Sequence, residues 1–339
     1  MGNDKRIVWV DNMKGLLLLL TCTSHFVPKP WIVAAILKPT PTYYVPLFIF
    51  LSGYLCKPLS PDLKVWGGQM RLIKKKFGRL IIPYFFFSAL GLISGCFTGE
   101  DVNTMIWEIF YFGTSCHAAR PIWFVACLFM VSISFTWITW FNKLSSLPTL
   151  ITIIVFLLVI WSYTKDVHIY LPWYIKSLPW HGSFFLLGFI VKTIESEYLE
   201  NWKQRNDKIM IWIFIILLIF VGVWGFMNPI KGTILAFVCP VSLMTGIIGC
   251  THLSQSVFVL ASRPMQFLQF VAINGVAILG AHNFVSGLFH FVEVQSGIMI
   301  HPSVSFIITF SIVWLFLYYI AIPFMNRFMY KLLGRSVPA

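Results

Sequence analysis

Charged residues are scarce in this chain of 339 residues, and their scarcity decides its broad class. Asp, Glu, Lys and Arg together make up 11% of the sequence, whereas hydrophobic residues make up 58%. Ordinary soluble domains carry about 25% charged residues. The composition therefore excludes an ordinary soluble globular protein and predicts an integral membrane protein.

Ten apolar segments are long enough, or nearly long enough, to cross a bilayer as helices. The second, fifth and sixth are shorter than the ~20 residues that a span usually needs. We therefore predict an all-α, polytopic fold of about ten transmembrane helices, forming one transmembrane domain over residues 1–339 with no appended soluble domain. The segments run over residues 8–26, 43–57, 80–98, 121–141, 148–164, 179–192, 209–227, 232–250, 267–292 and 303–322.

Acidic residues are also few: 12 Asp and Glu stand against 25 Lys and Arg, which gives a net charge of +13. Of the basic residues, 18 lie in segments assigned to the cytoplasm, 6 in outer loops and one, Lys14, within the first span. This bias follows the positive-inside rule and places both termini in the cytoplasm. Contact with membrane lipids accounts for the charge, and no nucleic-acid partner is expected.

Cysteine is sparse and carries no metal motif. The seven Cys residues include no C-x-x-C pair and no zinc spacing, so no metal site is predicted. Most are expected to be small apolar residues within helices. Cys96 and Cys116 flank the outer loop after the third span, and the sequence leaves open whether they are bridged or free.

Three ionisable residues, Asp11, Lys14 and His25, interrupt the first span. Such groups cost about 2.5 kcal/mol or more each in hydrocarbon, so together they indicate a functional site. On a helix, Lys14 and His25 would lie within about 20° of the same face and roughly 16 Å apart along the axis. The charges also argue that this segment is a retained helix and not a cleaved signal peptide.

Each of these residues has a functional and a structural interpretation. Imidazole titrates near working pH, so His25 is a candidate general base that takes a proton from an acceptor hydroxyl. The alternative for His25 is a hydrogen bond between helices or a place at the outer headgroup boundary. Lys14 either pairs with Asp11, three residues earlier, or faces a phosphorylated ligand while Asp11 holds its side chain in position. The two roles of Lys14 can coexist.

A basic run, Lys74-Lys75-Lys76 followed by Arg79, leads into the third span. Such a run is also a topology signal and an anchor to lipid headgroups. Lys76 and Arg79, at i and i+3, share a helix face, and an arginine can hold a phosphate through two parallel hydrogen bonds. With Lys75 as a further cation, the run is a candidate site for the phosphates of a nucleotide-bearing cofactor.

Several sequence features occur in a specific order along the chain. They are Lys14 followed after ten residues by His25, the phrases at 9–15 and 46–54, the basic pair Lys76 and Arg79 before Pro83, and the phrases at 122–125, 184–188 and 278–283. In this order they resemble the membrane-bound acyltransferase family three, whose members acylate sugars of cell-surface polysaccharides and related acceptors. The resemblance covers nearly the whole length, and Lys76 stands where the family usually has an arginine.

The resemblance implies a membrane O-acyltransferase of the bacterial inner membrane. It would move an acyl group, most commonly acetyl, from a cytoplasmic acyl-CoA to a hydroxyl of a cell-surface polysaccharide or a lipid-linked sugar. Lys14, Lys76 and Arg79 would hold the CoA phosphates, and His25 would deprotonate the acceptor hydroxyl. His282 and Asn283 would either donate hydrogen bonds to the developing oxyanion or form interhelical hydrogen bonds.

Other functions stay open at this point. A secondary transporter of a small anionic solute also suits ten proline-broken spans with charge inside the membrane, although the sequence shows no repeated halves. A haem or quinone protein would need facing histidines, for which only His25, His282 and His290 are candidates, without any haem motif. An acyltransferase could also use a protein or a small metabolite as acceptor, and the oligomeric state is not determined. The remaining histidines are expected to be solvated: His117, His168, His181, His252 and His301.

Overall fold

The computed structural model describes residues 7–26, 30–31, 33–34, 40–57, 59, 64–141, 144–168, 171–194, 216, 241, 262–296 and 301–333. Within these residues every regular element is helical, which confirms the predicted all-α fold. The α-helices are α1 (Val8–Ser24), α2 (Thr40–Tyr54), α3 (Val65–Lys76), α4 (Ile82–Thr98), α5 (Val102–Trp107), α6 (Trp123–Phe135), α7 (Leu147–Thr164), α8 (Leu178–Ile194), α9 (Ser262–Ile273), α10 (Gly275–Ser296), α11 (Pro302–Phe316) and α12 (Ile322–Phe328).

Five helical segments among the described residues are long and apolar enough to cross a membrane, as expected of a multi-pass membrane protein. They are Val65–Thr98, Val102–Trp140, Leu147–Thr164, Gly275–Ser296 and Pro302–Phe328, and a shorter apolar helix covers Tyr44–Tyr54. The predicted spans at 209–227 and 232–250 lie outside the described residues apart from Ile216 and Val241. The total of ten spans and the cytoplasmic placement of both termini therefore stay predictions.

Helix α1 ends at Ser24, two residues before the predicted end of the first span. The hydroxyls of Thr21 and Thr23 donate to carbonyls four residues earlier, and that of Ser24 donates to the Thr21 carbonyl. The N–H groups of His25 and Phe26 bond to carbonyls three residues back, which tightens the last turn. These local bonds satisfy carbonyls at the helix end and place His25 immediately after α1.

The predicted span over 267–292 contains most of two helices, α9 and α10, which meet at Asn274. The Asn274 N–H bonds to the Phe270 carbonyl and the Asn274 carbonyl accepts from the Ile278 N–H, so helical bonding continues across this residue. The buried Asn274 side chain also donates to the Phe270 carbonyl at 2.8 Å. Its Oδ1 accepts from the Asn326 side chain at 3.1 Å, which joins this residue to α12.

The predicted third span is the second half of a longer helical segment, Val65–Thr98. Helices α3 and α4 are joined by five residues of π-helix, Phe77–Ile81, where the Ile82 N–H bonds to the Phe77 carbonyl. Single π-turns of this kind are frequent at functional sites. Lys76 ends α3 and Arg79 lies within the π-turn, so the basic pair brackets this irregularity.

Helix α1 packs against α2, α9 and α10, so it lies in the interior of the bundle. Gly15 allows α1 to approach α9, because a Cβ at this position would collide with the Leu268 backbone. Gly53 and Gly188 serve the same purpose where α2 crosses α8, since a Cβ at either would meet the backbone of the opposite helix. Small residues at such crossings allow close helix packing in membranes. These crossings hold the end of α1 at a defined place among its neighbours.

Candidate active site

His25 lies at the C-terminal end of α1, where its side chain is exposed. The regular helix from Val8 to Ser24 places Lys14 about 16 Å below it, on nearly the same face. The sequence predicted this arrangement, because His25 directly follows the helix that carries Lys14. An imidazole at the end of a helix, and not in its middle, can reach substrates that approach between neighbouring helices.

The ring of His282, from α10, stands beside that of His25. The two ring centroids are 5.4 Å apart and the ring planes are inclined by 45°. His282 is fully buried. Residues that are far apart in sequence therefore form a pair of imidazoles at the end of α1.

The hydrogen bonds of His282 determine which of its nitrogens carries the proton. Nδ1 lies 3.1 Å from the Ile278 carbonyl and 3.0 Å from the Leu279 carbonyl. Because carbonyls only accept, Nδ1 must donate. In the neutral ring Nε2 is then a lone-pair acceptor, and it has no hydrogen-bond partner among the described residues. Donation from Nε2 to an oxyanion would require a doubly protonated ring.

Asn283 follows His282 on α10 and is half-buried. Consecutive residues on a helix point about 100° apart, so Asn283 does not share the face that His282 presents to His25. The structure therefore brings His282, and not Asn283, to His25. An oxyanion-stabilising role for Asn283 stays a prediction.

A small pocket opens beside His25. It is lined by Leu18, Thr21, His25, Tyr44, Phe48, Pro121, Trp123, Phe124 and Leu279. Its cavity volume is about 10 Å³, which is room for about one water molecule, and it is partly open. Four separate parts of the chain contribute: α1, α2, the start of α6 with the turn before it, and α10.

Lys14 is half-buried on α1, and its charge interacts with those of two other residues. Its charge interacts with that of Asp11, although no ion pair within 4.0 Å joins the two in the part of the chain that the structure describes. It also interacts with the charge of Lys76 at the end of α3. Lys14 and Lys76 are therefore near enough for their charges to interact, and no ion pair holds Asp11 to Lys14 among the described residues.

The rest of the basic run surrounds Lys76. Lys75 and Arg79 are exposed, Lys76 is half-buried, and the charges of all three interact. Lys57 and Arg71 add further positive charge near Lys75. Like charges at close range repel, so this cluster favours an anionic ligand such as a phosphate group.

Sequence reasoning missed part of this environment. The pocket residue Tyr44 carried no signal beyond general hydrophobicity, because an aromatic residue in an apolar span is usually a packing residue. Phe48 belongs to the phrase at 46–54, but nothing in that phrase indicates which residue it faces. Trp123 and Phe124 belong to the phrase at 122–125, but nothing in that phrase indicates which residue it faces. Their common position beside His25 follows from the packing of α1, α2 and α6.

Two other sequence interpretations are settled by the structure. His181 is not solvated, since it is buried on α8 with Nδ1 3.6 Å from the Cys127 sulfur. Cys96 and Cys116 are both free thiols. No group of three His, Cys, Asp or Glu side chains suited to a metal occurs in the described ranges, and a metal-free reaction stays a prediction.

The phrases noted in the sequence pack against one another. Trp9 of the first phrase meets Tyr54 of the second edge to face, with centroids 5.0 Å apart. The Phe185 backbone of the fourth phrase lies against Gly53 of the second. The phrases at 122–125 and 278–283 both contribute to the pocket. The phrases therefore belong to neighbouring parts of one helix bundle, and those at 46–54, 122–125 and 278–283 reach the pocket.

In a comparison with family models, residues 7–272 match the model that is described as an acyltransferase domain. No curated protein and no solved structure gives a significant match to the chain. The matched range includes His25, Lys14 and the basic run, and it ends just before α10, which supplies His282. The chain is therefore a membrane acyltransferase that belongs to acyltransferase family three.

Proposed function

We propose that this protein is an O-acyltransferase of the bacterial inner membrane that uses acyl-CoA from the cytoplasm, in the simplest case acetyl-CoA. Its acceptor is a hydroxyl of a cell-surface polysaccharide or of a lipid-linked sugar. The observation that carries the proposal is the position of His25, which lines the pocket beside His282 on the same helix whose Lys14 approaches Lys76.

The donor binds with its phosphates at the cytoplasmic side. Lys14, Lys76 and Arg79, with Lys75 at the margin, attract the phosphates of CoA, and charge-assisted hydrogen bonds from such groups are about twice as strong as neutral ones. Asp11 keeps Lys14 oriented through its nearby negative charge. From there the extended pantetheine arm runs along α1, and the roughly 16 Å between Lys14 and His25 is the distance that it has to cover.

The chemical step is acyl transfer with His25 as general base. His25 takes the proton of the acceptor hydroxyl while the oxygen attacks the thioester carbonyl carbon. Collapse of the tetrahedral intermediate forms the ester and breaks the carbon–sulfur bond. The proton on His25 then passes to the departing CoA thiolate, so the enzyme returns to its starting state.

His282 acts in this scheme as a positioning residue. Its Nδ1–H donates to backbone carbonyls of its own helix, and its Nε2 lone pair lies in a buried site next to His25. A buried lone pair without a partner is unfavourable. A hydrogen bond from the His25 ring, or from a hydroxyl held between the two rings, would satisfy it and orient the base.

The test uses purified protein in proteoliposomes with radiolabelled acetyl-CoA and a bacterial membrane fraction as the source of glycan acceptor. We expect His25→Ala to abolish label transfer and to leave CoA binding within about threefold of wild type, since the phosphate site lies at the other end of α1. His168→Ala, which changes an exposed histidine after α7, is the matched control. Transfer by His25→Ala at the wild-type rate would refute His25 as the base.

A further inference from the structure

Helix α3 carries positive charge on two different sides. Lys76 shares a face with Gln69, seven residues earlier on the helix. That face packs against α6, because the Gln69 side-chain amide donates to the Ile133 carbonyl at 2.7 Å. Lys75 lies about 100° further round the helix axis, and it shares an exposed face with Arg71, four residues earlier. Lys76 therefore lies on a different side of α3 from Arg71 and Lys75.

The indole of Trp140, which ends the 3-10 turn after α6, joins the end of α2 to this exposed face. Its Nε1 donates to the Lys57 carbonyl at 3.1 Å. Its ring lies against Gly68, one turn before Arg71, where a Cβ would come within 3.2 Å of a ring atom. Lys57 is thereby held close to α3, and its charge interacts with that of Lys75. Lys57, Arg71 and Lys75 together form a second cation group.

The charges of the second cation group repel one another. The charge of Lys75 interacts with those of Arg79, Lys57 and Arg71. In the part of the chain that the structure describes, no ion pair joins Arg71 or Lys75 to a carboxylate. A topology signal needs only positive charge in a loop, and it does not require cations from two segments to converge. Convergent charges of one sign favour an anionic ligand that relieves their repulsion.

The donor of the proposed reaction carries two separate anionic groups. CoA has a diphosphate at the 5′ position of its ribose and a phosphate monoester at the 3′ position, so both groups leave one sugar ring and need neighbouring partners. Lys75 and Lys76 are consecutive residues on different sides of α3, which places two cationic surfaces next to each other. Arg71 adds a guanidinium, which can bind a phosphate through two parallel hydrogen bonds.

We propose that the second cation group is a subsite for a phosphate monoester, the 3′-phosphate of the acyl-CoA donor. Lys14, Lys76 and Arg79 then hold the diphosphate. This inference rests on the proposed function, because it takes acyl-CoA as the donor. The subsite makes the protein prefer CoA and its esters to the corresponding 3′-dephospho compounds. The phosphate of a lipid headgroup has related chemistry, so the experiment also distinguishes lipid from CoA.

The experiment compares CoA with 3′-dephospho-CoA, which lacks only the monoester. Purified protein in a neutral detergent without added lipid is titrated calorimetrically with each compound. We expect the wild type to bind CoA about tenfold or more tightly than 3′-dephospho-CoA, because hydrogen bonds to a charged group are strong. In Arg71→Met and Lys75→Met, CoA affinity should fall by about tenfold, whereas 3′-dephospho-CoA affinity should stay within about threefold of wild type.

Matched controls lie on the same helix. Lys74→Met removes an exposed lysine about 100° from Lys75, on the side away from Lys76, and should keep the wild-type ratio of the two affinities. Lys76→Met should weaken the binding of both compounds equally, because both carry the diphosphate. Arg71→Lys keeps the charge but loses the parallel pair of hydrogen bonds, so its ratio should lie between those of wild type and Arg71→Met.

The same titrations in nanodiscs test the lipid source. The nanodiscs contain phosphatidylcholine alone or with phosphatidylglycerol, and we expect the preference for CoA to depend on Arg71 in both. If Arg71→Met has an effect only with phosphatidylglycerol, and equally for both compounds, the second cation group binds lipid headgroups and the subsite is overturned.

The remaining outcomes separate the subsite from the proposed function. A preference for CoA that falls in Arg71→Met and Lys75→Met but not in Lys74→Met supports the subsite. Equal affinity of the wild type for both compounds, or a preference that is unchanged in Arg71→Met and Lys75→Met, overturns the subsite and leaves the proposed function standing. Failure of the wild type to bind either compound overturns the proposed function, and the subsite with it.

Discussion

His25 and His282 face each other at a ring-centroid distance of 5.4 Å, one at the exposed end of α1 and the other buried in α10. Only His25 can exchange protons with a substrate directly, because His282 is enclosed and its Nδ1 is engaged by backbone carbonyls. In the proposed mechanism this asymmetry makes His25 the base and His282 its support.

This asymmetry predicts the behaviour of His282→Phe, which keeps an aromatic ring of similar size and removes both nitrogens. We expect kcat to fall by about 10- to 100-fold, which corresponds to the ~1.5–3 kcal/mol of a hydrogen bond to a charged partner. The affinity for CoA, measured by calorimetry, should stay within about threefold of wild type. His181→Phe, at a buried histidine in the α6–α8 interface, is the control and should keep its kcat. A wild-type kcat in His282→Phe would show that His282 contributes only to packing.

The closeness of Lys14 and Lys76 leads to a prediction about donor affinity. If both hold the same phosphate groups, Lys14→Met and Lys76→Met should each weaken CoA binding by about tenfold, and the double variant should lose less than the product of the two. Calorimetric titration with CoA at low and high salt measures this, since phosphate contacts weaken as salt rises. Lys165→Met, at an exposed lysine after α7, is the control. Undiminished CoA affinity in Lys76→Met would indicate that the basic run serves only as a topology signal.

The close crossing of α2 and α8 predicts a strong effect of a single methyl group. Gly53→Ala places a Cβ against the Phe185 backbone, which cannot move without shifting the helix. We expect a loss of about 1–3 kcal/mol in unfolding free energy, as is usual for overpacking, seen as a lower Tm in detergent. Gly287→Ala on α10 has open space around its Cβ, so its Tm should be unchanged or slightly raised. Equal Tm values for both variants would contradict the close approach of α2 and α8 at Gly53.

The hydrogen bond between Asn274 and Asn326 predicts an energetic coupling between α12 and the junction of α9 and α10. Asn326→Leu leaves the Asn274 Oδ1 without its 3.1 Å partner, and Asn274→Leu removes the interaction from the other side. Hydrogen bonds between membrane helices average about 0.6 kcal/mol in double-mutant cycles and reach about 1.7. A cycle of the two single variants and the double variant, measured by reversible unfolding in detergent, should give a coupling in this range. If the two changes in unfolding free energy are simply additive, the two side chains do not interact.

Much of the fold is predictable because it depends on local sequence. Apolar length and basic loops predict a multi-pass helical protein, and the described spans agree with that prediction. The contact between Asn274 and α12 could not be predicted, because it joins residues that are far apart in the sequence. It is a side-chain hydrogen bond from Asn326, 52 residues further along the chain.

The candidate site is predictable only in part, for a related reason. Lys14, His25, Lys76 and Arg79 could be identified from the sequence, because placing charged groups and imidazoles in or beside apolar segments costs free energy. The aromatic side chains around the pocket belong in part to the phrases at 46–54 and 122–125, but phenylalanine and tryptophan in a span cost nothing, so the sequence does not show which of them meet. Only their contacts distinguish Phe48 and Phe124 from the other phenylalanines.

By itself, the sequence determined the class of the protein, the presence of Lys14 and His25 on one face of one helix, and the order of the family's phrases. Helical geometry sets such relations within a single segment, so composition and spacing suffice for them. Tertiary structure decided which residues meet from different segments: His282 with His25, Lys76 with Lys14, and Phe48 with Phe124. Those contacts depend on how closely each helix pair can approach, which is set by glycines and side-chain volumes at the crossings and not by the period of any one helix.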